Sequence, residues 1–237
     1  MQVSTNEKLI KSRSRLGTYA ALGGVVVLII GMVASMQPQY IWLSLIAIVI
    51  GFVLAQFGNY NLRRYGRAPR PDQVIEAALK GFDDRFHYYA WSLPVPYVLL
   101  APHGIYTFVV RDQTGQVTVN GAQWRSKFTV GKLLTIFAQE GLGNPTAEAF
   151  DAATRLGNWI KAKLPDVAAA VQPVVIFIDE RAQLQITEPT VPVLDAKGLK
   201  KWVRGTGKGE NLKTADYKAL EDLFNANAQA VSRRVEK

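Results

Sequence analysis

The chain has 237 residues, room for a membrane segment plus one domain of ordinary size. It has no cysteine, which excludes disulfide staples and thiolate chemistry and suits a reducing compartment. The net charge of +9 is uneven: residues 1–70 hold eight cations against Glu7, giving +7, whereas the remaining 167 residues hold 20 Lys/Arg against 18 Asp/Glu. Nucleic acid as a partner of the downstream domain is therefore not supported by its charge.

Residues 1–15 form a basic N-terminal segment. From Leu16 to Leu62 there are 47 consecutive residues without a formal charge, split by Gln37-Pro38-Gln39. Leu16–Ser35 and Tyr40–Phe57 each approach the roughly 20 residues that span the hydrocarbon of a bilayer. The proline-containing break is short, so residues 16–57 are expected to form an antiparallel transmembrane hairpin with the lipid bilayer as partner. A cleaved signal peptide fits poorly, because its apolar region runs to roughly 7–15 residues and no second span follows it. Tyr40 and Trp42 stand where an interfacial aromatic belt falls. Cations flank both outer ends and none lies in the connector, so both termini are expected in the cytoplasm. Small residues recur every four positions, as Ala20/Gly24, Gly31/Ser35 and Ala47/Gly51/Ala55, and would allow close helix packing.

Residues 58–70 read as a basic juxtamembrane linker that can lie against anionic headgroups. A cytoplasmic domain is expected over 71–237. It starts with a short amphipathic helix, Pro71–Lys80, with proline at its first position and Gly81 at its end. Five short strands follow: Phe86–Trp91, Tyr97–Leu100, Ile105–Val110, Gln116–Val119 and Gln123–Lys127. Turn residues at Pro102-His103-Gly104, Asp112–Gly115 and Asn120-Gly121 separate them, which predicts an antiparallel meander. After Asn144-Pro145, Ala149, Phe150, Ala153, Leu156, Ile160 and Leu164 recur at helical spacing until Pro165. Val171–Ile178 reads as a buried strand. A short strand near Val191–Leu194 and helices over Ala196–Val203 and Thr214–Val231 complete an α/β domain with helices packed on a mixed sheet.

The order helix, three-strand meander, helix, buried strand resembles the nuclease-related domain, called NERD, of the restriction-endonuclease-like superfamily. The segment from Val95-Pro96-Tyr97 through Pro102-His103-Gly104 to Val109-Val110-Arg111 resembles that family's central hairpin, where a strand bearing Asp leads through Gly-Pro-x-Gly into Glu-x-Lys. Gly115, Trp124, Asn144-Pro145 and the strand Pro173–Phe177 fall where the family has similar elements, and the likeness covers roughly Pro71–Arg204. In such nucleases carboxylates on adjacent strands hold a hard divalent cation and a lysine positions or activates water. Here Pro96 stands at the Asp position, Val109 at the Glu position and Arg111 at the Lys position, and Glu76 matches an acidic position of the first helix. Proline and valine offer no oxygen to a metal, and arginine stays protonated. The resemblance therefore implies a non-catalytic, membrane-anchored binding or scaffold module, without a cofactor or metal site, with a protein partner possible.

The alternative is a membrane-associated nuclease using Mg²⁺ on relocated acids, for which Asp83, Asp84 and Asp112 in expected turns are candidates. His87 and His103, the only histidines, fall on different elements and lack the further ligands a zinc site needs. Gly205-Thr206-Gly207-Lys208-Gly209 departs from a phosphate-binding loop, because Trp202 and Gly209 occupy its diagnostic positions, and reads as a linker. Lys197, Lys200, Lys201, Arg204 and Lys208 form a local basic cluster expected to be a solvated helix face.

Overall fold

The computed structural model describes residues 1–126, 141–167, 170–206 and 211–234. The chain divides into two compact units, Glu7–Arg70 and Met1–Asn6 together with Pro71–Lys237.

The first unit is a helical hairpin of α1 (Glu7–Ser35) and α2 (Ile41–Asn61), joined through a 3₁₀ turn at Pro38–Tyr40. Both are long and apolar enough to cross a membrane, and only 17% and 22% of their apolar windows are buried. A core helix of a soluble protein would hide far more of that surface. Leu22, Val25, Ile29, Ile30, Ile46 and Val53 all face outward.

The inward seam is narrow and small. It uses Gly17, Gly24 and Gly31 on α1 against Ser44, Ala47, Gly51, Gly58 and Asn61 on α2. The sequence pattern had suggested four-residue steps, yet the buried glycines of α1 recur every seven, as expected when two helices keep one seam in register over their length. The backbones nearly touch. A Cβ at Gly58 would stand 2.5 Å from the Ala21 nitrogen, and one at Gly24 would stand 2.9 Å from the Gly51 carbonyl oxygen.

Helix α2 also runs past Phe57, where the linker was expected. Asn59 and Asn61 end the apolar run but not the backbone ladder, and a π-helical turn at Leu62–Gly66 continues it. Charge changes solvent preference at once, whereas helix termination needs a break in hydrogen bonding.

The second unit contains a six-stranded mixed sheet in the order β1-β2-β3-β4-β7-β9 and a three-stranded sheet in the order β6-β5-β8. Strand β1 (Gln2–Thr5) runs parallel to β2 (His87–Ala90). Residues 1–15 read in sequence as a basic N-terminal segment, with the domain beginning at Pro71. In the structure Met1–Asn6 clusters with Pro71–Lys237. Asn6 is buried, its backbone N–H donates to the Ala90 carbonyl at 3.0 Å, and the Ser92 hydroxyl donates to the Ser4 carbonyl at 2.9 Å.

Strands β2, β3 (Tyr97–Ala101) and β4 (Gly104–Arg111) form an antiparallel meander, turned at Pro102-His103. Strand β7 (Val171–Phe177) lies parallel to β4, and β9 (Val193–Asp195) lies parallel to β7. The two remaining strands of the expected single meander, β5 (Gly115–Asn120) and β6 (Gln123–Ser126), leave the main sheet and pair with each other, and β5 also pairs in parallel with β8 (Ala182–Thr187), a strand not anticipated from sequence. Lys127 lies outside the described residues.

Helix α3 (Pro71–Leu79) and α5 (Ala196–Thr206) cover one face of the main sheet. Ile75, Leu79, Leu199 and Val203 pack there against Tyr88, Leu99, Tyr106 and Phe108. Helix α4 (Pro145–Lys163) and α6 (Thr214–Arg234) cover the other, with Leu156, Ile160, Leu220 and Phe224 against Tyr89, Val98 and Ile105. Helix α4 begins as its sequence indicates: the Asn144 side chain accepts a hydrogen bond from the Ala147 N–H at 3.1 Å, and Pro145 takes the first helical position. A third cluster joins Ala149 of α4 and Val175 and Phe177 of β7 to Val117 and Val119 of the small sheet.

Candidate functional site

Alternation along β4 decides which of Glu76, Pro96, Val109 and Arg111 can act together. Tyr106 and Phe108 face α3 and α5, whereas Ile105 and Val109 join the clusters on the α4 side. Side chains two residues apart share a face, so Arg111 follows Val109 toward α4. Glu76 is on α3, across the sheet from both. It is exposed, between the buried Ile75 and Leu79. Glu76 therefore does not share a pocket with Val109 and Arg111 of β4.

Arg111 is the best-held of the four. Its side chain is 7% exposed and its guanidinium is ion-paired with Glu148 in the first turn of α4. Nη1 also donates to the Val110 carbonyl at 3.2 Å, and the Arg111 carbonyl accepts the Ile178 N–H at 2.9 Å. Beside this pair, Trp124 donates through Nε1 to the Thr146 hydroxyl at 2.8 Å and stacks on Phe177 at 6.1 Å. The arrangement ties the end of β4 to the start of α4. A guanidinium held by a carboxylate cannot accept a proton from water at neutral pH.

Val109 is half-buried and apolar. Pro96 immediately precedes β3, and its carbonyl accepts the Trp91 N–H at 2.7 Å to close the loop between β2 and β3. The β3–β4 register, Val98 opposite Thr107, would bring Pro96 opposite Val109 if continued two residues. Neither side chain carries an oxygen.

Glu76 has a different neighbourhood, centred on an acid that the sequence reading missed. Asp72, one turn earlier on α3, is only 2% exposed. Burial raises the Tyr88 phenol well above the ordinary tyrosine value, and Tyr97, Asp72 and Glu76 add to that rise. The Tyr88 hydroxyl finds no hydrogen-bond partner among the described residues. The i, i+4 spacing of Asp72 and Glu76, which sets both acids on neighbouring turns of one helix, was the available signal.

The other candidates disperse. Asp83 is exposed and pairs with Arg85 at 2.7 Å, whose hydrogen bond holds its carboxyl below the usual range. Asp84 is exposed too, and Asp112 is half-buried just beyond β4. His87 is buried with Nε2 at 3.4 Å from the Glu221 carboxylate on α6. His103 sits between the rings of Phe86 and Tyr106, with Nε2 at 3.4 Å from the Thr206 hydroxyl, and burial lowers its pKa. Among the described residues no group of three or more His, Cys, Asp or Glu is placed to hold a metal.

Within the basic cluster, Lys197 pairs with Glu180 at 3.1 Å, Lys200 donates to the Lys80 carbonyl and Arg204 lies over the Phe82 ring at 5.5 Å. Lys201 borders an open depression of about 500 Å³ with Leu194, Gly198, Trp202, Gly205 and Thr206. Gly205 and Thr206 end α5, while Gly207, Lys208 and Gly209 lie outside the described residues. No protein-family model, curated protein or solved structure matches the chain.

Proposed function

We propose that this chain is a membrane-anchored cytoplasmic module in which a nuclease-related frame serves binding or scaffolding instead of hydrolysis. The order α3, antiparallel β2-β3-β4, α4 and β7 parallel to β4 supports the frame. The outward apolar surface of α1 and α2 supports the anchor. Strand β1 precedes α1 and β2 follows α2, and the two are hydrogen-bonded in one sheet. A hairpin that crosses a bilayer then has both ends on one side, and its cationic flanks favour the cytoplasmic side.

The observation that carries the non-catalytic reading is Arg111: where a nuclease needs a lysine near its metal ligands, this chain has a buried guanidinium engaged by Glu148, next to Val109. The full chain in detergent, incubated with DNA or RNA and Mg²⁺ or Mn²⁺, is expected to leave the nucleic acid intact.

Asp72 favours a second reading, a nuclease whose acids have moved to α3. Two carboxylates, Asp72 and Glu76, act on one buried phenol there. Cleavage that requires Mg²⁺ or Mn²⁺ and disappears in Glu76→Ala would replace the first reading with this one. Reporter fusions at the C-terminus test the topology separately, since an extracytoplasmic signal contradicts it.

A further inference from the structure

We infer that the charged end of the helical hairpin is a binding surface for anionic phospholipid headgroups. The inference rests on the membrane-anchoring reading and names the lipid class that the anchor selects. All eight cations of the hairpin unit lie at one end. Lys8, Lys11, Arg13 and Arg15 occupy the start of α1, and Arg63, Arg64, Arg67 and Arg70 fall on or just after the π-helical turn that ends α2. The opposite end, Met36–Tyr40, carries no charge.

The fold gathers these two groups into one collar. The π-helical turn packs back on α1, so closely that a Cβ at Gly66 would stand 2.9 Å from the Ser14 hydroxyl oxygen. Arg13 of α1 and Arg64 of the turn both lie within electrostatic range of Tyr65. Arg64 donates to the Tyr60 hydroxyl at 2.7 Å, and Arg67 donates to the Asn59 side chain at 3.2 Å. Lys11, Arg13, Arg15 and Arg67 are exposed. The only anion, Glu7, is engaged by Arg70 at 2.7 Å, which leaves a net charge of +7 at this end.

Depth along the hairpin selects the partner. Arg15 directly precedes Leu16 and Arg63 directly follows Leu62, the two limits of the uncharged run. At 1.5 Å per helical residue the cations abut the apolar surface and fall at headgroup level. Clusters of four to eight Lys/Arg beside a membrane helix attract anionic lipid, at about fivefold in affinity for each cation engaged. A nucleic-acid duplex would have to enter the headgroup layer to reach the same charges.

The test uses the full chain reconstituted in phosphatidylcholine vesicles that contain trace spin-labelled phosphatidylglycerol or spin-labelled phosphatidylcholine. Electron paramagnetic resonance reports the lipid immobilised at the protein surface. The expected result is a preference for phosphatidylglycerol of about fivefold or more. It should approach unity in about 1 M salt, where screening shortens to about 3 Å. It should also fall, without vanishing, in the combined variant Lys11→Gln, Arg13→Gln, Arg15→Gln, Arg67→Gln, which lowers the net charge of this end from +7 to +3.

Equal immobilisation of the two lipids by the unmodified chain overturns the inference and leaves the anchor standing. Absence of any immobilised lipid removes the anchor and the inference together. Displacement of spin-labelled phosphatidylglycerol by duplex DNA would reassign the collar to nucleic acid and also overturn it.

Discussion

Removing Glu148 should cost more than removing its partner. In Glu148→Ala the guanidinium of Arg111, 7% exposed, keeps its charge and loses its carboxylate. Stranding one member of a fully buried pair costs roughly 3–5 kcal/mol. The Glu148 side chain is 52% exposed, so water reaches the pair and the cost falls toward the lower values of screened ion pairs. Loss of an acid from the first turn of α4 adds roughly 0.3–1 kcal/mol. Together these give about 2 kcal/mol, or a drop in melting temperature of about 4–8 °C for a domain of this size.

Arg111→Met fills similar space and leaves Glu148 hydrated at a favourable helix end, so its cost should stay within about 1 kcal/mol. Thermal unfolding of the full chain in detergent, followed by tryptophan fluorescence, reads both variants. The reasoning is refuted if Arg111→Met destabilises more than Glu148→Ala, because the arginine would then do something other than bind this carboxylate.

The hairpin seam makes a paired prediction. Gly58→Leu forces side-chain atoms into the Ala21 backbone and should cost about 1–3 kcal/mol, whereas Gly23→Leu meets open space and should be neutral; SDS-titrated loss of helical circular dichroism separates them. Deleting residues 2–5 removes the edge strand beside β2, so hydrogen exchange at the amides of β2 should accelerate, and unchanged exchange would show that the pairing contributes nothing. His103 has a folded pKa below its ordinary value because burial disfavours the cation. Its contribution to stability is thus complete above the ordinary imidazole pKa of about 6.5 and is lost as pH falls through that value toward the lower folded pKa. His103→Gln should flatten the stability profile in that acidic window, as measured by thermal unfolding across pH.

Elements defined by local signals were legible in the chain. The apolar run of 47 residues and its central proline announced two membrane-length helices, because hydrocarbon thickness is a property of length and composition alone. Asn144-Pro145 announced α4 through capping chemistry, and Asn120-Gly121 announced the turn between β5 and β6. Long-range pairing was not legible. Gln2–Thr5 carries one strong apolar residue, Val3, and becomes a strand only because β2 offers it hydrogen bonds from more than 80 positions away. Strand β8 likewise takes its place from β5.

The candidate site divides along the same line. That Pro96 and Val109 bring no oxygen, and that Arg111 brings a permanent cation, follows from residue identity. That Glu76 lies across the sheet from Arg111, that Asp72 is buried beside Tyr88, and that Glu148 claims the guanidinium follow only from register and helix docking. Side-chain chemistry is written one residue at a time, whereas the company each residue keeps is settled by which strands pair and which face each helix covers.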